Sequence, residues 1–147
     1  MSYTQTIYHI VIRTKHSKPT ITQERASLLY NYIWGVIRNK NGVLYRINGI
    51  ADHIHIVSSI HPSIALSDFV KDIKVSTSLW MKSSNQFPYF EGWGEGYCGL
   101  TCSYGEKDKL INYVKSQQQH HKKETFEEEL IRIFKEMNIE IDNYFLT

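Results

Sequence analysis

The sequence predicts an α/β (α+β) chain: an antiparallel sheet backed by helices, with extra helices at the C-terminal end. Three observations predict it. Short runs rich in β-branched and aromatic residues are bounded by polar residues, as in strands. Longer runs repeat apolar residues at three-to-four spacing, as in amphipathic helices. The two kinds of run follow one another as β-α-β-β-α-β-α-α, and the first six match the split βαβ pattern of ferredoxin-like domains.

Each element has a local reason. Ile7, Ile10, Val11 and Ile12 make the first strand, over residues 3–13. Pro19 and Thr20 mark a turn, and Thr22 is placed to cap a helix over residues 23–39. Its stripe is Leu28, Leu29, Tyr32, Ile33, Val36 and Ile37. Asn41-Gly42 signals a turn. Val43, Tyr45 and Ile47 alternate with Leu44, Arg46 and Asn48, which predicts a strand over residues 43–50. After the tight connection at Asp52, residues 53–59 return as an antiparallel strand. Pro62 ends it, and Ser63 or Ser67 can cap the next helix, whose stripe runs Leu66, Phe69, Val70, Ile73, Thr77 and Trp80.

Residues 85–99 are irregular, aromatic and glycine-rich, a segment that must pack over a site or wrap the core. A short strand follows at residues 97–103, then a helix from residue 105 to about residue 120. The last helix covers residues 124–137, with Phe126, Leu130, Ile133 and Phe134 on one face, and the mixed tail 139–147 is read as a docking segment. One domain over residues 1–147 is expected, with residues 124–147 as a helical extension.

Composition bounds the function. With 41% hydrophobic and 22% charged residues, the chain can bury a core without disulfides. No apolar run reaches 18 residues and residues 1–6 are polar, so no spanning helix or secretory signal is expected; the cytoplasm is the expected location. The net charge of +2 neither demands nor excludes nucleic acid. Its distribution says more. Between Arg13 and Arg46 lie seven basic residues against one acid, Glu24, whereas acids collect over residues 124–140. Cys98 and Cys102 lack the CxxC spacing of a structural zinc pair, and two cysteines make no disulfide framework.

His53 and His55 are the strongest chemical signal. A strand's period of two puts both imidazoles on one face, while Ile54 and Ile56 turn to the core. Two imidazoles one strand step apart can chelate a divalent ion, or simply sit on a solvated sheet face. His9 and His61 could add ligands; His120 and His121, at a helix end, read as structural or solvent-facing. Tyr113 and Gln117 lie four apart, on one helix face. A phenol can serve as nucleophile and an amide oxygen as ligand, but on spacing alone a packing tyrosine beside a polar surface is the commoner arrangement.

Several segments, in order along nearly the whole chain, resemble one family. Tyr8 to Lys15 is similar to its opening strand and the basic residues after it. Asp52-His53-Ile54-His55-Ile56 resembles its HUH motif, two histidines around a large hydrophobic residue. Lys71-Asp72-Ile73-Lys74, with Ser78 and Trp80, resembles the following helix, and Phe90-Glu91-Gly92-Trp93 the aromatic connection. Tyr113-Val114-Lys115-Ser116-Gln117, followed by residues 120–126, resembles the helix of the catalytic tyrosine and its downstream extension. The chain thus resembles transposases of the IS200/IS605 type, within the single-tyrosine HUH nuclease superfamily, relatives of the REP-associated tyrosine transposases. Cys98, Gly99 and Leu100 depart from it, standing where many relatives are more polar.

The resemblance implies a mechanism. His53, His55 and Gln117 would hold Mg²⁺ or Mn²⁺, and Tyr113 would attack a DNA phosphate, giving a 5′-phosphotyrosine link and a free 3′-hydroxyl. It further implies single-stranded DNA with hairpins as substrate, and a homodimer whose composite sites pair Tyr113 of one copy with His53 and His55 of the other. Arg13, Lys15, Lys18, Arg46, Lys71 and Lys74 are candidate contacts to the DNA backbone, and Tyr89, Trp93 and Tyr97 candidate base-stacking residues. Two other readings differ. A domesticated relative would process host hairpins with the same chemistry. A non-catalytic nucleic-acid-binding module would not need Tyr113.

Overall fold

The computed structural model describes residues 1–140; the expectation for the tail falls largely on residues 141–147, outside the described residues. Four strands, β1 (Ile7–Arg13), β2 (Leu44–Ile50), β3 (His53–Ser59) and β4 (Cys98–Cys102), alternate with α1 (Ala26–Asn39) and α2 (Leu66–Ser83). Helices α3 (Lys107–Lys115), α4 (Gln117–His120) and α5 (Phe126–Glu136) follow. The sheet runs β2-β3-β1-β4 and every pairing is antiparallel. This is the expected α/β architecture, a ferredoxin-like split βαβ core with added C-terminal helices.

The strand period sorts side chains onto two faces. Ile10 and Ile12 of β1 and Ile54 and Ile56 of β3 face α1 and α2, where they pack with Leu29, Ile33, Ile37, Phe69 and Ile73. Each such aliphatic side chain contributes about 1.5–3 kcal/mol on burial. The other face carries His9, Val11 and Arg13 beside His53, His55 and Val57. The later helices cover it: Val114 of α3 packs on Ile7 and Val57, and Phe126, Leu130, Ile133 and Phe134 of α5 pack on Val11 and Cys98. Both cysteines are free.

The β2–β3 connection is two residues long and brings backbones very close. A Cβ on Gly49 would lie 2.2 Å from the His53 carbonyl oxygen, so only glycine fits there. The tight turn at Ala51-Asp52 therefore sits where the sequence placed it, with His53 at the very start of β3.

Three local expectations are corrected. Thr22 does not cap α1: a turn closed by the Arg25 N–H on the Thr22 carbonyl (3.1 Å) intervenes, and the helix starts at Ala26. Neither Ser63 nor Ser67 caps α2, because Ala65 takes that position. The single helix expected over residues 105–120 is broken at Ser116 into α3 and α4. The Ser116 hydroxyl donates back to the Asn112 carbonyl at 3.1 Å, a contact that bends helices. The side-chain amide of Asn48 stops α3 from the sheet, donating to the carbonyls of Val114 and Lys115, both at 3.1 Å.

The aromatic connection wraps the core. The Trp93 indole N–H donates to the Thr77 hydroxyl at 2.8 Å, and Phe90 packs edge-on against Trp93. Gly94 N–H bonds the Arg13 carbonyl at 2.8 Å and Lys15 N–H bonds the Gly92 carbonyl at 2.9 Å, tying the segment to the end of β1.

Candidate metal centre and nucleophile

Because β3 starts at the tight turn, His53 and His55 point from its first and third positions onto the face covered by α3–α5. Each ring is oriented from behind. Asp52 Oδ1 lies 2.7 Å from His53 Nδ1, and His9 Nε2 lies 2.7 Å from His55 Nδ1. A carboxylate can only accept, so His53 Nδ1 carries the proton and its Nε2 turns inward.

The inward nitrogens converge on a residue the sequence reading did not single out. Glu129, on α5, sets its Oε1 at 3.2 Å from His53 Nε2, 2.9 Å from His55 Nε2 and 3.1 Å from His121 Nε2. His121 is thus no solvent-facing helix-end histidine: its side chain is 4% exposed and belongs to the cluster. Its Nδ1 donates to the Glu124 carbonyl at 2.9 Å, which again leaves Nε2 directed inward. His61, by contrast, is exposed and bonds Ser63. The other Glu129 oxygen, Oε2, accepts from the Tyr113 hydroxyl and from the Gln117 amide, the latter at 3.0 Å. Gln117 Oε1 faces His121 Nε2 at 3.1 Å. Thus His53, His55, Tyr113 and Gln117, distant in sequence, meet within one chain.

Two further residues support the phenol. Arg132, one turn after Glu129, donates from Nη2 to the Tyr113 hydroxyl at 2.7 Å and is itself held by Glu124 at 2.8 Å. Asn48 and Gln118 exchange a reciprocal pair of amide bonds (3.0 and 2.8 Å), and Gln118 also donates to the Gly49 carbonyl at 2.9 Å. This clamp fixes α3 and α4 on β2, and so positions Tyr113 and Gln117. Glu129 had one legible signal: it is a charge within the apolar stripe of Phe126, Leu130 and Ile133.

The site is electrostatically tense. His53, His55, Gln117 and Glu129 are each 0% exposed. Burial holds His55 down to about 4, and burial together with His55 holds His9 down to about 3. Burial opposes charge on His53 too, but Asp52 and Glu129 outweigh it and raise its pKa. Burial alone would raise Glu129; hydrogen bonds from His121, His53 and His55 hold it well below the usual carboxylate range. The Tyr113 phenol is pushed up, by burial first and then by Glu129.

The donor chemistry fits a divalent cation. One ligand atom from each of His53, His55, His121 and Glu129 lies within 4.8 Å of every other. Tyr113 is only half-buried and is reached from outside. A cleft of about 790 Å³ is lined by Tyr113, His120, Lys122, Lys123, Glu124 and Arg132. A second cleft, of about 380 Å³, includes His9, Lys109 and Tyr113.

The candidate DNA contacts are scattered. Lys15 and Lys71 are exposed, and Lys18 is exposed but paired with Glu91 at 3.1 Å. Arg13 is buried beside Gly94, and Lys74 donates to the carbonyls of Gly94, at 2.8 Å, and Gly96. Arg46 is half-buried in a shallow pocket with Tyr30, Trp34 and Tyr45. Of the aromatic candidates, Tyr89 is exposed, while Trp93 and Tyr97 pack on the core.

Comparison with known proteins now decides the family. The model of the family described as Transposase IS200 like matches residues 2–117, most of the chain. The chain belongs to the IS200-like transposase family. The ISDra2 transposase TnpA of Deinococcus radiodurans is 25% identical over 117 residues, covering 75% of this chain and 82% of the relative. A candidate transposase from Deinococcus radiodurans R1 superposes with a TM-score of 0.62 at 24% identity, over 80% of this chain and 95% of that one. A REP-associated tyrosine transposase bound to a REP hairpin gives 0.62 at 12% identity, over 82% and 74%. At these identities the two solved structures speak for the fold. In this IS200-like chain His121, Glu129 and Arg132 all lie beyond the family-matched span. No helix among the described residues is long and apolar enough to cross a membrane.

Proposed function

We propose that this IS200-like transposase cleaves and rejoins single-stranded DNA near hairpins, through a 5′-phosphotyrosine intermediate on Tyr113. One observation carries the reading. A half-exposed phenol, held between an arginine and a carboxylate, stands at the edge of a buried histidine cluster suited to a divalent ion.

His53, His55 and Gln117 are the proposed ligand set for Mg²⁺ or Mn²⁺, which when bound would polarise the scissile phosphate and neutralise charge on the leaving oxygen. The chain's own residues supply the rest. In the step, Tyr113 Oη forms a bond to phosphorus while the bond from phosphorus to the 3′-oxygen breaks. The phenol's proton goes to Glu129 Oε2, which already accepts it in a hydrogen bond. The 3′-oxygen leaves as a hydroxyl after taking a proton from solvent. Arg132 stabilises the charge developing on Tyr113 Oη. A 3′-hydroxyl from another DNA end reverses the step and joins strands, because the phosphodiester's bond energy is kept in the tyrosyl link. Lys122, Lys123 and the exposed Lys15 are suited to hold the DNA backbone.

The test is incubation with single-stranded hairpin DNAs and Mn²⁺ or Mg²⁺, followed by denaturing gels and mass mapping. A DNA adduct on Tyr113, lost with a chelator and in Tyr113→Phe, supports the proposal. Hairpin binding without any metal-dependent adduct favours a binding module instead. A homodimer with composite sites is also proposed: exchanging α3 between copies would rebuild in trans the contacts seen in cis. Mixing Tyr113→Phe and His53→Ala chains discriminates. A composite site restores adduct formation in the mixture, and a site within one chain does not.

A further inference from the structure

The histidine cluster gathers four potential ligand atoms, one each from His53, His55, His121 and Glu129. His53 Nδ1–H is spent on Asp52 and His121 Nδ1–H on the Glu124 carbonyl. Each ring therefore turns its second nitrogen, Nε2, inward, free to donate to Glu129 or to bind a cation in its place. Those nitrogens, and Nε2 of His55, all point at one carboxylate oxygen of Glu129, 2.9–3.2 Å away. Three imidazole nitrogens and a carboxylate oxygen converging in a buried site are a donor set that can hold a divalent ion. The spacing is telling. Bonds of about 2.0–2.1 Å in tetrahedral geometry separate ligand atoms by about 3.3 Å. The three Glu129–histidine separations, 2.9–3.2 Å, lie within a few tenths of an ångström of that value, and all four ligand atoms fall within 4.8 Å of one another.

We infer that His121 and Glu129, on the C-terminal segment beyond the family-matched span, complete a four-ligand His₃Glu site with His53 and His55 that takes a first-row transition metal such as Mn²⁺, Fe²⁺, Co²⁺ or Zn²⁺ in preference to Mg²⁺. Three imidazoles suit transition ions, whereas Mg²⁺ wants oxygen ligands in an octahedron and keeps its waters. Three of its four ligands are also fully buried. The inference rests on the proposed use of a divalent ion at His53 and His55. It assigns Gln117 a different part: its amide N–H orients the Glu129 carboxylate rather than its carbonyl binding the ion. The metal then also ties α4 and α5 to the sheet.

The experiment uses the purified full chain, stripped of metal. It is titrated with Co²⁺ and Mg²⁺, followed by visible absorption, calorimetry and thermal melting. The inference expects one Co²⁺ per chain with the strong visible bands of four-coordinate cobalt, no displacement by excess Mg²⁺, and a raised melting temperature. Glu129→Gln and His121→Asn should each weaken Co²⁺ binding by about tenfold or more and abolish the four-coordinate spectrum. If either variant fails to fold, the wild-type spectrum still decides. Weak six-coordinate bands, with affinity unchanged in both variants, would overturn the inference and leave the His53, His55 and Gln117 site standing. No Co²⁺, Mn²⁺ or Mg²⁺ bound by the wild type would overturn the divalent-ion reading itself.

Discussion

Asn48 is outside the chemistry, yet the structure makes it the hinge pin of the tyrosine helix. It is 8% exposed and its amide reaches three acceptors, the carbonyls of Val114 and Lys115 and the Gln118 side chain, at 3.0–3.1 Å. Its Oδ1 accepts from Gln118 Nε2 at 2.8 Å. Nδ2 has two hydrogens, so it makes two good bonds at a time, and Oδ1 makes a third. At a net worth of about 1 kcal/mol each, Asn48→Ala should cost about 3 kcal/mol. Gln118 is half-buried and recovers part of its loss from water, so the Gln118→Ala variant should cost less. The assay is urea denaturation of both single variants and the double variant. Coupling between the two positions should be about 1–2 kcal/mol. Asn112→Ala, on the exposed face of the same helix, should change stability by less than about 0.5 kcal/mol. An Asn48→Ala loss below about 0.5 kcal/mol, or no coupling to Gln118, would refute the idea that this amide pair anchors α3.

Other outcomes follow from the same geometry. Metal-free protein should lose stability as pH falls below about 6.5, because the unfolded chain then protonates His9 and His55 while the fold holds them to about 3 and about 4. The slope approaches about 1.4 kcal/mol per pH unit for each group; His53, whose raised pKa stabilises below about 6.5 and fades as pH rises through its folded value, adds no opposing slope in the acid window. A urea midpoint equal at about pH 7 and about pH 5 would sink this account. Gly49→Ala should prevent β2–β3 closure, since its Cβ would meet the His53 carbonyl at 2.2 Å; a variant with native circular dichroism and an unshifted melt would disprove the steric argument. Thr125 and Glu128 form a reciprocal capping box at the start of α5, so Thr125→Ala should lower stability by about 1 kcal/mol in chemical denaturation, and an unchanged midpoint counts against it.

The sequence by itself determined the strand and helix order, because period-two and three-to-four apolar patterns are local and each sheet face needs its own set of side chains. It also determined that His53 and His55 share a face, that Ile54 and Ile56 serve the core, and that Tyr113 and Gln117 stand one helical turn apart. The resemblance of the HUH segment and the tyrosine helix carried the family. What only the tertiary structure decided was who meets whom across the sheet. The break at Ser116 follows the bond from Asn48 to the Val114 carbonyl, a pair 66 residues apart in the chain. Arg13 and Lys74 were candidate contacts to the DNA backbone, and the structure has them packed or bonded around the aromatic segment, because that segment folds back onto β1 and α2. Glu129 was one acid among several near the C-terminal end and His121 one of two adjacent histidines. Packing α5 on Val11 and Cys98 carries Glu129 over the histidine pair, and the α4–α5 turn brings His121 beside it. No local pattern encodes that placement: burying a carboxylate is costly by itself and is tolerated here only because three imidazoles, a phenol and an amide surround it.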